Sequence, residues 1–492
     1  MSDAPSAPAS SPTAGWNLDH SYSRLPALFF RSATPAPVKR SGLAVFNEAL
    51  AVSLGLDPEC LRQPDQAALF TGNLLPAGAN PIAQAYAGHQ FGHFTTLGDG
   101  RAILLGEQLT PDGRRFDIQL KGSGRTPFSR GGDGLAALGP MLREYLISEA
   151  MHALGIPTTR SLAVATTGAT VFRSEELPGA VLTRVAASHI RVGTFQWAAV
   201  HEDHDALRAL ADHTRRRHFP DLAEASHLDF FHAVMERQAA LVAKWLQVGF
   251  IHGVMNTDNM ALSGETIDYG PCAFLDAYHS DTVFSSIDHA GRYAYAQQPS
   301  IARWNLARLA EAMIPLLHDD GKKAVELANE ALHQFQGIFQ NHWLDGMRAK
   351  LGIHNSEPDD LAFVQHLLDW MQENKQDFTG TFSTLSSAAS LEAPVFPDAA
   401  FTDWHAAWQS RLTRQAEGPA EILHRMRSAN PRVIPRNHKV EEALSAATLH
   451  TDLAPFHKLL AAITRPFDEA EGDEFTTPPP SGSPRYQTFC GT

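Results

Sequence analysis

Near Trp197 the period of the apolar pattern changes, and this change limits the possible folds more than any other feature of the sequence. Before it, apolar residues recur at every second position in short runs. In Phe116–Lys121, Phe116, Ile118 and Leu120 alternate with Asp117, Gln119 and Lys121, as in a strand with one buried face. Arg101–Leu109 reads as its hairpin partner across the turn Pro111-Asp112-Gly113, and further strands are predicted near Ser161–Thr167, Thr170–Arg173 and Ala180–Val185. After Trp197, long stretches with helical spacing take over: Asp205–Arg217, Asp229–Gln247, Trp304–Leu317 and Lys322–Gly346. One short β-like element, Asn259–Asp268, interrupts them, and a helix is predicted earlier over Ser41–Leu56. A sheet-rich half followed by a helix-rich half makes an α+β protein in two lobes. The expected partition is a flexible arm at 1–15, an extension at 16–80, an N-lobe at 81–197, a helical C-lobe at 198–470 and a flexible tail at 471–492.

Charge and cysteine content exclude several classes. The formal net charge of −14 argues against nucleic-acid backbone binding, which needs a basic face. The run Arg215-Arg216-Arg217 reads as a solvated helix face. Three cysteines, Cys60, Cys272 and Cys490, in 492 residues make neither a disulfide framework nor a zinc site. The first fifteen residues lack the basic and apolar regions of a secretory signal. No apolar run approaches the roughly 18 residues of a membrane span. A cytoplasmic, monomeric protein is the expectation.

The residues that carry chemistry occur in a telling order. Leu97-Gly98-Asp99-Gly100-Arg101 precedes the first strand of the hairpin, and glycines there let backbone amides approach phosphate oxygens. Lys121 ends the second strand, a glycine-rich loop with Asp133-Gly134 follows, and a helix over Met141–Leu154 carries Glu144 on its apolar side. That is the layout of a kinase N-lobe, whose lysine contacts nucleotide phosphates and pairs with a glutamate. His252-Gly253-Val254-Met255-Asn256-Thr257-Asp258-Asn259 and then Asp268-Tyr269-Gly270 fall where a kinase has its catalytic loop and metal-binding Asp. Asn259 and Asp268 offer hard oxygen ligands for Mg²⁺ or Mn²⁺. Val254 stands where a kinase has its catalytic Asp, and a valine cannot accept a proton; Asp258 is the nearest carboxylate. Arg184 and Arg191 are candidate phosphate ligands or lobe-interface ion pairs. His89 and His93, four apart, read as loop-packing residues because a third metal ligand is missing.

These strings resemble the selenoprotein O family, a group of pseudokinase protein adenylyltransferases. The resemblance runs through Ala85-Tyr86-Ala87-Gly88-His89-Gln90-Phe91-Gly92, Leu97–Arg101, Leu120–Arg130, Arg143-Glu144-Tyr145, His252–Met260, Asp268–Pro271 and Gly291-Arg292-Tyr293. It implies a bilobed kinase-like fold in which ATP binds inverted, so that AMP rather than the γ-phosphoryl group passes to a Ser, Thr or Tyr hydroxyl of an acceptor protein. It also implies that Gly98, Gly100, Arg101, Lys121, Asp133, Gly134, Arg184 and Arg191 contact the nucleotide and that Glu144 orients Lys121. Asn259 and Asp268 would hold the metal, Asp268 also touching the nucleotide, with Asp258 as general base. UMP transfer from UTP stays open, as do a kinase-type phosphotransferase and a non-catalytic ATP-binding scaffold. The family's terminal redox residue corresponds to Cys490; no cysteine lies in Asp281–Ile287 to pair with it.

Overall fold

The computed structural model describes residues 14–468, 473–480, 482–484 and 486–488. Cys490 and residues 1–13 of the expected arm lie outside them. The chain divides into two compact units. One comprises the chain up to Gln84 with Asp99–Met141 and Ser161–Ala187; the other comprises Ala85–Gly98, Leu142–Arg160 and the chain from Ser188 onward.

The strands, in chain order, are β1 (Leu18–Asp19), β2 (Phe30–Ser32), β3 (Gly42–Phe46), β4 (Ile82–Gln84), β5 (Ala87–Gln90), β6 (His93–Thr96), β7 (Ala102–Leu109), β8 (Arg115–Lys121), β9 (Ala136–Ala137), β10 (Arg160–Phe172) and β11 (Glu176–Ala186). The first unit is a sheet ordered β2-β4-β7-β8-β11-β10-β3, with β1 and β9 paired to β7 and β11. The predicted hairpin is present: β7 and β8 pair antiparallel with Ala102 opposite Lys121 and Leu104 opposite Gln119. Its alternation is what the sequence implied, since Ile118 and Leu120 join an apolar core with Leu50, Phe70, Ile103, Val181 and Val185. Asp117, Gln119 and Lys121 take the other face.

The structure departs from the predicted elements in three places. Ser41–Leu56 is not one helix: β3 occupies Gly42–Phe46, and α1 (Glu48–Ser53) begins after Asn47, whose side chain accepts the Leu50 amide as an N-cap. The apolar spacing that mimicked a helix belongs to an edge strand whose partner, β10, lies more than a hundred residues on, with Val45 opposite Val164. The β-like stretch Asn259–Asp268 forms no named strand; its β character is two isolated bridges, from Ala261 to Arg191 and from Thr266 to Thr158. The strands expected at Ser161–Thr167 and Thr170–Arg173 are one strand, β10.

The second unit is mostly helical. Its helices include α2 (Leu138–Ala153, which begins in the first unit), α3 (Val192–Val200), α4 (His204–His218), α5 (His227–Gln247), α6 (Gln298–Leu317) and α7 (Gly321–Lys350). Arg215, Arg216 and Arg217 fall in the last turn of α4, where cations meet the negative end of the helix dipole. None of the described helices is long and apolar enough to cross a membrane. At the C-terminal end, Thr488 docks on the segment before α6: its N–H donates to the Phe284 carbonyl (2.8 Å), and its carbonyl accepts from Ser286 N–H (2.9 Å).

Candidate active site

In the first unit, the polar face of β8 collects Lys121, Gln119 and, from β11, Arg184. Arg184 lies directly opposite Gln119 and Leu182 opposite Lys121. Arg184 donates through Nε (3.2 Å) and Nη2 (2.7 Å) to Gln119 Oε1, and Gln119 Nε2 donates to Asp99 Oδ2 (3.1 Å). Asp99 is fixed by the Gln84 amide (3.3 Å), and its carbonyl accepts from the Thr126 hydroxyl (2.6 Å). Lys121, Arg184, Gln119 and Asp99 are all buried. The acid of the Gly-Asp-Gly string therefore orients Gln119, which orients the Arg184 guanidinium. Neither Asp99 nor Gln119 was singled out from sequence; the signal available for Gln119 was its polarity on the face it shares with Lys121.

Gly100, Arg101 and Gly134 also lie in this unit. The Gly100 carbonyl accepts from Ser129 Oγ (2.5 Å), the Arg101 carbonyl from Gly122 N–H (2.7 Å), and the Gly134 carbonyl from Gly124 N–H (3.0 Å). Asp133 is gripped by Arg173 (2.9 and 3.2 Å), which holds its carboxyl below the usual range.

The second unit holds Gly98, Glu144, Arg191, Asp258, Asn259 and Asp268. Glu144 is buried on α2 between Leu142 and Leu146. His252 is buried, and burial lowers its pKa. Its Nε2–H donates to the Ile267 carbonyl (2.9 Å), tying the catalytic-loop candidate to the residue before Asp268. Asp268 has φ 61°, a left-handed backbone rare outside glycine. Arg191, the residue capping α3, reaches three groups. Its Nε donates to the His189 carbonyl (3.1 Å), its Nη1 donates to the Asp258 carbonyl (3.2 Å), and the same Nη1 lies 3.6 Å from Asp268 Oδ2. Its guanidinium sits 4.3 Å from the centre of the Tyr86 ring. Asn259 Nδ2 donates to the Val254 carbonyl (3.0 Å), which fixes the amide and leaves Oδ1 for another partner.

Asp258 is enclosed by a feature the sequence did not disclose. Strands β5 and β6 form a separate hairpin with Gln90 opposite His93. Its two-residue turn, Phe91-Gly92, has φ 51° and 88°, the signs a type I′ turn demands. A phenylalanine there is strained by about 1–2 kcal/mol. Contacts with the catalytic loop hold it: Phe91 N–H donates to Asn256 Oδ1 (3.1 Å), which also accepts from Tyr293 OH (2.7 Å). Two positions back, three residues close a ring. His89 N–H donates to Thr257 Oγ1 (2.7 Å), the Thr257 hydroxyl donates to Gln196 Oε1 (2.6 Å), and Gln196 Nε2 donates to His89 Nδ1 (2.7 Å). His89 is thus bonded and packed on strand β5, and His93 lies on β6, where a loop was expected for both.

The hairpin sits so close that a Cβ on Gly88 would lie 2.3 Å from Asp258 Oδ1. That oxygen is buried without a hydrogen-bond partner, while Oδ2 has a long contact from Gln90 Nε2 (3.5 Å). Burial pushes the Asp258 carboxyl up to about 6, and nearby Asp268 adds to the rise against the opposing pull of Arg191. A carboxylate held near neutrality and poorly solvated is a competent proton acceptor. Cys272, by contrast, is buried with its thiol pushed up to about 11, an inert structural cysteine.

The family model described as protein adenylyltransferase SelO matches residues 14–464. Curated relatives called protein nucleotidyltransferase YdiU are similar over nearly the whole chain. The one from Brevibacillus brevis is 58% identical over 481 residues, covering 97% of this chain and 98% of the relative. That from Bacillus cytotoxicus is 57% identical with the same coverage, and that from Halalkalibacterium halodurans is 56% identical over 98% of this chain and 99% of its own.

Proposed function

The chain belongs to the SelO family of protein adenylyltransferases, and from that premise we propose how its residues divide the reaction. The protein is a nucleotidyltransferase that moves AMP from ATP onto other proteins. In our reading the fold is kinase-like and bilobed, with N-lobe 81–197 and C-lobe 198–470, and ATP lies inverted, its α-phosphorus toward the acceptor. Lys121, aided by Glu144, and Arg184 neutralise phosphate oxygens. Arg191 does the same beside the catalytic loop. Gly98, Gly100, Arg101, Asp133 and Gly134 line the nucleotide.

Asp258 takes the proton from an acceptor Ser, Thr or Tyr hydroxyl. The hydroxyl oxygen bonds to the α-phosphorus, the bond from that phosphorus to the bridging oxygen of the β-phosphate breaks, and pyrophosphate leaves. The observation that carries this assignment is the carboxylate of Asp258: buried, raised toward neutrality, and left with one oxygen unbonded. The valine at 254 agrees with it, because an inverted nucleotide does not need a base there.

Asn259 and Asp268 are the residues that would hold Mg²⁺ or Mn²⁺. Two observations fit a hard cation: the Asn259 amide nitrogen is committed to Val254, freeing Oδ1, and the Asp268 carboxylate is partly exposed. When bound, the ion supplies charge neutralisation at the phosphates. Among the described residues no cluster of three or more His, Cys, Asp or Glu could hold a metal unaided, so nucleotide oxygens would complete the shell.

The test is transfer from ATP labelled at the α- or the γ-phosphate, with Mg²⁺ or Mn²⁺. We expect label on protein from the α-position alone, no transfer by Asp258→Asn with nucleotide binding kept, and loss of metal-dependent nucleotide binding in Asp268→Ala. Label from the γ-position would make the enzyme a kinase and remove the inverted nucleotide. UTP in place of ATP decides between AMP and UMP.

A further inference from the structure

An acceptor hydroxyl must be delivered to Asp258 by a polypeptide, and that polypeptide has to rest on something. The second unit offers a surface for it. Trp304, on α6, has two guanidinium groups against its ring: Arg292 at 4.8 Å and Arg308 at 4.9 Å from the ring centre. His89 packs edge-on against the same ring at 5.3 Å, so this cluster adjoins the hairpin that covers Asp258. The link to the catalytic loop is short on both sides. The Arg292 guanidinium is 3.9 Å from where a Cβ on Gly92 would stand, and the next residue, Tyr293, bonds Asn256. Phe94, on β6, packs against His89 and is 43% exposed.

The charges in this cluster are under-compensated. Arg292 makes no ion pair among the described residues, and its Nε is buried without a hydrogen-bond partner. The nearest acid in sequence, Asp288, is spent on the backbone amides of Arg292 and Tyr293 (2.9 and 2.8 Å). Among the described residues Arg308 pairs with Glu311 alone, itself 61% exposed, a contact of small worth in water. Its Nε is likewise unpartnered. Burial lowers the pKa of His89, so that ring adds no charge near pH 7. Two positive groups thus lie against one tryptophan, all three side chains partly exposed, on a protein of net charge −14. Arginine and tryptophan are the residue types that dominate binding hot spots, and stacking pre-orders the guanidiniums for carboxylates.

We propose that Arg292, Trp304 and Arg308 form the docking surface for an acidic, extended segment of the acceptor protein, on the chain that carries the modified hydroxyl. This rests on the reading of Asp258 as the base. Protein-wide charge repels an acidic partner, so the local patch decides which acidic segments are retained.

The probes are two fluorescent peptides of equal length, each with one tyrosine, flanked in one by glutamates and in the other by lysines. Binding is read by anisotropy and transfer by α-labelled ATP. Wild type should prefer the glutamate peptide. Arg292→Ala with Arg308→Ala should weaken its binding roughly tenfold, the scale of two part-exposed ion pairs, with ATP affinity unchanged. Arg292→Glu with Arg308→Glu should reverse the preference, a gain that misfolding cannot produce. Equal binding of the two peptides, preference for lysine, or retained preference in the double alanine variant would overturn the proposal. So would self-association abolished by the same variants without any peptide preference, which would assign the patch to a second copy of the chain. Asp258→Asn should bind the glutamate peptide as wild type does and transfer no label. Intact transfer in that variant would remove the base and leave the docking result standing.

Discussion

Asp258 is held in a state that costs stability. In the metal-free protein its carboxyl titrates near 6, above its ordinary 3.8, so the native state binds that proton more tightly than the unfolded chain. Stability from this group is therefore fullest below about pH 4 and lost as pH rises through 6. Asp258→Asn should stabilise the metal-free protein by roughly 1–3 kcal/mol at pH 8, with little gain near pH 4, while abolishing transfer. Urea unfolding at the two pH values checks this; an equal effect at both would mean the carboxylate is not desolvated. A methyl group on Gly88 meets Asp258 Oδ1, so Gly88→Ala should cut kcat by about 10²-fold through misplacement and leave ATP affinity intact by calorimetry. Unchanged kcat would show that the carboxylate's position is not critical. Residue type and spacing marked Asn259 and Asp268 as candidate metal ligands and Asp258 as the nearest carboxylate, whereas its role as base came from the family resemblance. The need for glycine at 88 was not legible, because it arises from a neighbour 170 positions along the chain.

The β5–β6 hairpin acts as one element, joined to the catalytic loop through the His89–Gln196–Thr257 ring and the Phe91–Asn256 bond. His89→Leu leaves a buried Gln196 amide without its acceptor and should destabilise by about 1–3 kcal/mol. His89→Asn keeps an acceptor near the Nδ1 position and should lose much less. Hydrogen exchange in residues 85–98 should quicken in the leucine variant only; equal protection in both would mean the ring contributes nothing. Sequence reading caught β7 and β8 because a clean alternation and a Pro-Asp-Gly turn mark them locally. It missed this hairpin because Gly, His and Gln carry no strand pattern and because Phe91 stands where Asn or Gly signals a type I′ turn. The helix expected over Ser41–Leu56 failed for a related reason: the partner that makes Gly42–Phe46 a strand is remote in sequence.

For the whole molecule, the order of a sheet-rich part and a helical part was legible in the change of apolar period, while the interleaving of the two units was hidden. The helical unit also carries its own buried charge. Lys350, at the end of α7, is 2% exposed, lies 4.2 Å from the Phe382 ring, and is pushed down to about 7 by burial. Between pH 7 and its ordinary 10.5 the unfolded chain binds the extra proton, so stability climbs with pH across that window. Lys350→Met should add roughly 1–3 kcal/mol at pH 7, with the gain shrinking toward pH 10. A gain that did not change with pH would point to packing instead. The interleaving has its own outcome during synthesis. Residues 85–98 leave the ribosome between segments of the first unit, and the loop that His89 bonds follows 168 residues later. At roughly 5–20 residues per second, that is a wait of about 10–30 s for a two-stranded ribbon that is marginal alone. Nascent or prematurely terminated chains ending before Asp258 would present this ribbon bare, and they are the forms on which chaperones and proteases would act.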